Sequence, residues 1–331
     1  MLTRFENSPT VDSLLTVAPH FIVNTDIEAE EWVANAALGL VKDSLILGRP
    51  NGIIAIADSF YISDSQATGI FVVDRNGHLV RKIGKRGKGP GEFLSLRGLE
   101  YNGTHVFVKD RGRVQIFKES MDYASSFSVS GMGTLGVSPG YMLLECPEVN
   151  KWIICARSTV PPFHWFEFKQ LLPVLDLPDR TGENSYIVSI SPEGNRVAVG
   201  YKGLPYIFVY DDQFTHLKTI RFEGKDVRDW TPTGIPGGAP PEVLNPGTFS
   251  FIEWVEFIDS RYLIASVHRT DNYIIDVSEN EHQLVRKFVL RPTNNPEERK
   301  NIPARDFLFH RDRLYVASPW AEYVYGYSFD L

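Results

Sequence analysis

Gly84-Lys85-Arg86-Gly87-Lys88-Gly89-Pro90-Gly91-Glu92-Phe93 decides the fold. Glycine and proline at this density interrupt any helix or strand that runs into them. Four short β-prone runs precede this stretch, and the same series starts again after it. A linker between two like units marks an architecture assembled from stacked copies of one small sheet.

One pattern then recurs along the chain: a β-prone run that ends in a small or acidic residue. The copies end at Asp64, Asp110, Ala156, Gly200, Ser266 and Ser318, which are 46, 46, 44, 66 and 52 positions apart. A four-stranded propeller blade takes about 40–50 residues. The long step holds the insertion that starts at Thr231 and carries Pro232, Pro236, Pro240 and Pro241. In the first unit, residues 52–57, 60–63, 69–74 and 78–83 read as strands a to d. Arg75-Asn76-Gly77 between c and d supplies the positive φ of a tight hairpin.

These readings predict an all-β, single-domain, six-bladed β-propeller. Its blades fall at about 48–83, 94–130, 138–178, 184–223, 250–291 and 302–331. The last blade ends at strand c, and His20–Asn24, within 19–24, is the expected donor of its outer strand. Closure of this kind hides two sheet edges. Helical period is hinted only at Ile27–Leu38.

The chain of 331 residues is 43% hydrophobic and 23% charged, which permits a sizeable core and argues against disorder. Its formal net charge of −7 argues against a general nucleic-acid binder. No apolar run reaches the roughly 20 residues of a membrane-spanning helix. The first residues lack the apolar stretch of a signal peptide. That leaves a cytoplasmic protein, or a periplasmic or cell-envelope protein whose signal has been trimmed. Cys146 and Cys155 flank an expected turn at residues 147–150. Two buried free thiols are the expected state, with a cross-strand disulfide as the alternative.

The 84–93 stretch resembles the blade linker of NHL-repeat propellers. The whole chain resembles the six-bladed TolB-like propellers of Bacteroides-type bacteria, most sharply over residues 48–130. The resemblance implies the fold, and it implies export or lipid anchoring for many members. It implies little about activity.

A propeller's ligands are expected at the mouth of its central channel, where the d-to-a linkers and b-to-c loops meet. The b-to-c loops are read as 65–68, 111–113, 157–165, 201–203, 267–270 and 319–321, and they carry more cations than anions. Counting thirteen residues back from each repeat end places Asn51, Arg97, Leu143, Ile187, Glu253 and Arg305 on strand a. Arg97 and Arg305 are expected to clamp a carboxylate or phosphate, or else to pair with Glu253. Arg111, Arg157, His164, Arg269 and Trp320 stand around them as expected ligand-binding residues. The 231–248 insertion, hinged at Trp230, is read as a lid or as surface decoration.

The expected role is a non-enzymatic module of the bacterial cell envelope. It would bind a small anionic or sugar-like ligand, or a protein, and need no cofactor. The alternative is a hydrolase or lactonase of the gluconolactonase type, with calcium or zinc on Glu253, Asn51 and Asn184. Arg97 and Arg305 at the same level would oppose such a cation. The scattered histidines offer too few ligands for a usual zinc site. No Walker loop, Gly-x-Ser-x-Gly or Cys-x-x-Cys motif is present.

Overall fold

The central strands of each repeat are apolar at consecutive positions because both faces of each sheet are covered. Phe60 and Ile62 pack with Tyr315, Ala317 and Val324 of the last repeat. Tyr61, between them, packs the other way, with Val106, Val108 and Phe117 of the next repeat. Successive side chains of a strand point to opposite faces, so a sheet buried on both sides reads as a continuous apolar run.

A computed structural model describes residues 20–38, 47–129, 134–145, 154–164, 185–202, 204–224, 227, 251–267, 270–278, 284–292, 301–321 and 323–329. Its elements are strands, beginning with β1 (His20–Asn24), β2 (Glu30–Val33) and β3 (Ala36–Leu38). Blade one is β4 (Pro50–Ile56), β5 (Ser59–Asp64), β6 (Gly69–Asp74) and β7 (Leu79–Ile83). The linker holds two short parallel strands, β8 (Lys85–Arg86) and β9 (Glu92–Phe93). Blade two is β10 (Gly98–Tyr101), β11 (His105–Asp110), β12 (Arg113–Lys118) and β13 (Tyr123–Ser128).

Blade three shows β14 (Gly136–Val137), β15 (Tyr141–Glu145) and β16 (Ile154–Ser158). Blade four is β17 (Tyr186–Ile190), β18 (Arg196–Tyr201), β19 (Tyr206–Asp211) and β20 (His216–Glu223). Blade five is β21 (Ile252–Phe257), β22 (Tyr262–Val267), β23 (Asp271–Asp276) and β24 (Leu284–Arg291). Blade six is β25 (Asp306–Phe309), β26 (Arg313–Ala317) and β27 (Val324–Ser328). The architecture is a six-bladed β-propeller.

The chain divides into two compact units. One joins residues 1–29 to 130–287 and holds blades three, four and most of five; the other joins 30–129 to 288–331 and holds blades six, one and two.

Closure by an N-terminal strand is present, but the donor is not His20–Asn24. β1 lies parallel to β20, on the outer edge of blade four. β2 lies parallel to β24 and stacks Trp32 on Phe288 with ring centroids 4.0 Å apart. β3 completes blade six, antiparallel to β27. The expected helix at Ile27–Leu38 is therefore two strands. An outer strand leaves one row of backbone groups unpaired. Three short extended runs of the N-terminal segment satisfy three such rows, and composition alone does not say which run meets which blade.

Blade three is shifted from its expected register. The repeat spacing predicts strand b at residues 152–156, yet β15 is the second strand and β16 the third. The first strand is β14; two residues before it, Thr134 Oγ1 accepts Val188 N–H of β17 at 2.7 Å. Gly136-Val137 is too short to register as a periodic run, so the count slid by one strand. Leu143 consequently lies on the second strand, not on strand a.

Cys155 is disulfide-bonded, contrary to the free-thiol expectation, and Cys146 is the chain's other cysteine. The 231–248 insertion, Trp230, Trp165, Asn184 and Arg269 lie outside the described residues.

Candidate functional site

The small or acidic residue that closes each repeat has a structural task where it is an aspartate. Asp110 is fully buried, and its Oδ1 accepts the N–H groups of Leu94 and Ser95 at 2.9 and 2.6 Å. Its Oδ2 accepts Arg113 at 3.2 Å. Asp64 does the same in blade one, accepting Gln66, Ala67 and Arg49 N–H groups at 2.9, 2.7 and 3.0 Å. A buried carboxylate needs donors of this kind. The aspartates thereby tie the d-to-a linker to the b-to-c turn, and these segments define one end of the blades, the linker end.

The glycine-rich stretch is laced into this end. Arg113 donates to the carbonyls of Lys88 and Glu92, both at 2.7 Å. The buried Gln115 side chain donates to Glu92 O at 2.7 Å and accepts Gly91 N–H at 3.0 Å. Glu92 Oε2 accepts Gly89 N–H at 2.9 Å, and Glu92 pairs with Lys85 at 3.4 Å. The Gly89 N–H and the Lys85 ammonium hold the Glu92 carboxyl below its ordinary range. The loop therefore carries its own anion, and its amides are not an open phosphate cradle. Phe93 is fully buried beneath it. Gly84 has φ +80°, and a Cβ there would stand 2.2 Å from the Phe93 ring.

In the unit formed by blades six, one and two, three of the expected residues stand on or just before the innermost strands. Arg97 N–H donates to Lys109 O at 2.8 Å, and Arg305 N–H donates to Ala317 O at 2.9 Å. Asn51 occupies the bulge where the β4–β5 register shifts between Pro50 and Gly52. Its Nδ2 donates to Leu96 O at 2.7 Å and its Oδ1 accepts Ser63 Oγ at 3.1 Å. Asp306 Oδ2 accepts Ile53 N–H at 2.8 Å. These side chains pair backbone groups that an innermost strand cannot pair within its own sheet. Arg305 stands just before β25, Asn51 within β4 and Arg97 just before β10. Burial pushes the Asp306 carboxyl up to about 7, against the pull of the Ile53 and Phe307 N–H groups and of Arg305.

Charge is concentrated at the linker end of this unit. The described loops 47–49, 65–68, 84–97, 111–112, 301–305 and 318–321 hold seven cations and one carboxylate. The cations are Arg49, Lys85, Arg86, Lys88, Arg97, Arg111 and Arg305; all but the half-buried Arg305 are exposed. Trp320 is at the same end and is 64% exposed, so it is not a blade-packing residue. Arg49, Lys85, Arg86 and Lys88 were not among the expected site residues. Their signal is present, four cations in the linkers themselves, but the glycines beside them read as fold punctuation.

In the other unit, Glu253 occupies the bulge between Ile252 and Trp254, the same place in blade five that Asn51 holds in blade one. Arg157 and His164 are not in a b-to-c loop. Arg157 lies in β16 opposite Met142, and the segment after β16 folds onto the a-to-b turn, where Thr159 Oγ1 donates to Pro139 O at 2.8 Å. That contact puts the exposed His164 at the opposite end of its blade from the linkers. For the calcium or zinc alternative, Asn51 is already committed at both ends of its amide. Among the described residues no group of three or more His, Cys, Asp and Glu could hold a metal. No described helix is long and apolar enough to cross a membrane.

Residues 40–127 match the model of a protein family described as a 6-bladed beta-propeller. Among curated proteins, none matches the sequence. Solved structures match widely. A Bacteroides fragilis protein named "Putative exported protein" superposes with TM-score 0.53 at 12% identity, covering 93% of this chain and 98% of its own. Virginiamycin B lyase from Staphylococcus aureus gives 0.51 at 9% identity, covering 89% and 99%. Raptor from Chaetomium thermophilum gives 0.54 at 14% identity, covering 91% of this chain and 29% of that one. At these identities the likeness to all three is one of fold alone.

Proposed function

We propose that this chain is a non-enzymatic binding propeller of the bacterial cell envelope, and that it takes an anionic ligand at the linker end of blades six, one and two. The observation that carries the reading is the segregation of charge. Among the described residues, a chain of net charge −7 gathers seven cations against one carboxylate in the loops of a single end. Such a patch raises the local concentration of anions whatever the net charge. Arg97, Arg111 and Arg305 are the binding residues retained from the sequence, joined by Arg49, Lys85, Arg86 and Lys88. The disulfide at Cys155 favours an oxidising compartment outside the cytosol. The exported protein of the same fold is consistent with that location.

Retention on a sulfate-bearing resin at pH 7 tests the reading. An acidic protein with evenly spread charge flows through; this one is expected to be held and released by salt. Lys85→Glu/Arg86→Glu/Lys88→Glu is expected to flow through while unfolding at a similar temperature. Equal behaviour of the two proteins would overturn the proposal, as would one equivalent of zinc or calcium in the purified protein.

A further inference from the structure

Resting on that reading, we infer that the ligand is a strand of acidic polysaccharide, several consecutive uronate or sulfated sugars laid over the linker end with one ring stacked on Trp320. Exposure separates a chain from a small anion. Arg49, Arg86, Lys88, Arg97 and Arg111 are exposed, and among the described residues they form no ion pair. An exposed pair adds at most about fivefold to an association constant, and salt screens it within about 8–10 Å. Two such contacts on one carboxylate give no useful affinity. A repeating anion that meets all five of them, releasing counterions at each, does.

The chemistry of the loops narrows the class. The glycine N–H groups that could cradle a compact phosphate in the glycine-rich linker are already used: Gly87 N–H is bonded to Phe93 O, Gly89 N–H to Glu92 and Gly91 N–H to Gln115. Planar guanidinium groups match carboxylates, and the like-shaped oxygens of phosphate and sulfate, bidentately. Trp320 supplies what charge does not, an exposed aromatic face on a turn held by Ala321 N–H donating to Ser318 O at 3.1 Å. Such a face suits the C–H side of a sugar ring. A lipid surface would ask for a broad apolar face beside the cations. Among the described residues of this unit the other large exposed apolar side chains, Val80 and Tyr123, sit on the outer strands β7 and β13. The disulfide at Cys155 points to the compartment where acidic polysaccharides, rather than nucleic acids, are the available polyanions.

The test is titration of the full chain with polygalacturonate oligosaccharides of about ten sugars, beside galacturonate monomer, duplex DNA and anionic phospholipid vesicles. The oligosaccharide is expected to bind at least tenfold more tightly than any of the others. Arg97→Glu/Arg111→Glu is expected to weaken it more than tenfold and to lower the salt dependence. Trp320→Ala is expected to weaken it about fivefold with the salt dependence unchanged. Monomer binding as tightly as oligomer would overturn the proposal. So would DNA or vesicles binding as well as the oligosaccharide with no effect of Trp320→Ala, an outcome that leaves the anion-binding reading standing. Resin retention lost in the lysine-arginine variant, with oligosaccharide affinity untouched by all substitutions, would overturn this inference alone.

Discussion

The two ends of blades six, one and two are built from the same four strands and differ in what their loops do. At the linker end, buried aspartates, Arg113 and Gln115 spend their polar atoms on backbone, and the cations around them are left in solvent. At the turn end the hairpins are short and close on themselves. Gly77 N–H donates to Asp74 O at 2.9 Å, and Asp74 Oδ1 accepts Asn76 and His78 N–H groups, both at 2.9 Å. The turn segments 57–58, 75–78, 102–104, 119–122 and 310–312 carry four carboxylates, Asp58, Glu119, Asp122 and Asp312, against Arg75 and Arg311. One of these is already paired, Arg311 with Asp58 at 2.5 Å. The lesson is that a hairpin needs only local turn chemistry. A linker between blades must be anchored by distant side chains, and so fixes a surface on which charge can be arranged.

If the linker end is the rigid one, Gly84→Ala should cost the most. Its positive φ disfavours any Cβ, and the ring of Phe93 has nowhere to move. A loss of about 3 kcal/mol in denaturant unfolding is expected; less than about 1 kcal/mol would show a linker as tolerant as a hairpin. Next comes Asp306. An unfolded aspartate titrates near 3.9, and burial holds this one at about 7. Between those values the folded state holds more protons than the unfolded state, so this group's contribution is full below about pH 4 and is lost as pH rises through about 7. Wild type should therefore lose roughly 2 kcal/mol relative to Asp306→Asn between pH 5 and pH 8. The variant starts lower, because an amide cannot accept both the Ile53 and Phe307 N–H groups. Parallel stability curves would remove Asp306 as the titrating group. The smallest effect belongs to the turn end: Arg311→Ala breaks a solvent-exposed pair and should change stability by less than about 1 kcal/mol. A larger loss would erase the contrast between the ends.

Much of the architecture was legible because it rests on short-range rules. Runs such as Phe60-Tyr61-Ile62 and Val106-Phe107-Val108, the Asn76-Gly77 hairpin and the spacing of the aspartates give blades and their count. Thirteen-residue counting put Arg97 and Arg305 at equivalent places, and Asn51 and Glu253 in equivalent bulges, because those repeats keep one register. Where the register slipped, in blade three, the same count put Leu143 on the wrong strand and moved Arg157 and His164 away from the linkers. Tertiary structure alone decided that β3 rather than β1 completes blade six, since the free outer edges of blades four, five and six accept any short extended run. It alone decided that Trp320 is exposed while Asp306 is buried, since exposure depends on what distant segments cover. Local pattern sets strand and turn, because those depend on neighbours a few residues away; which charge reaches water depends on residues hundreds of positions apart.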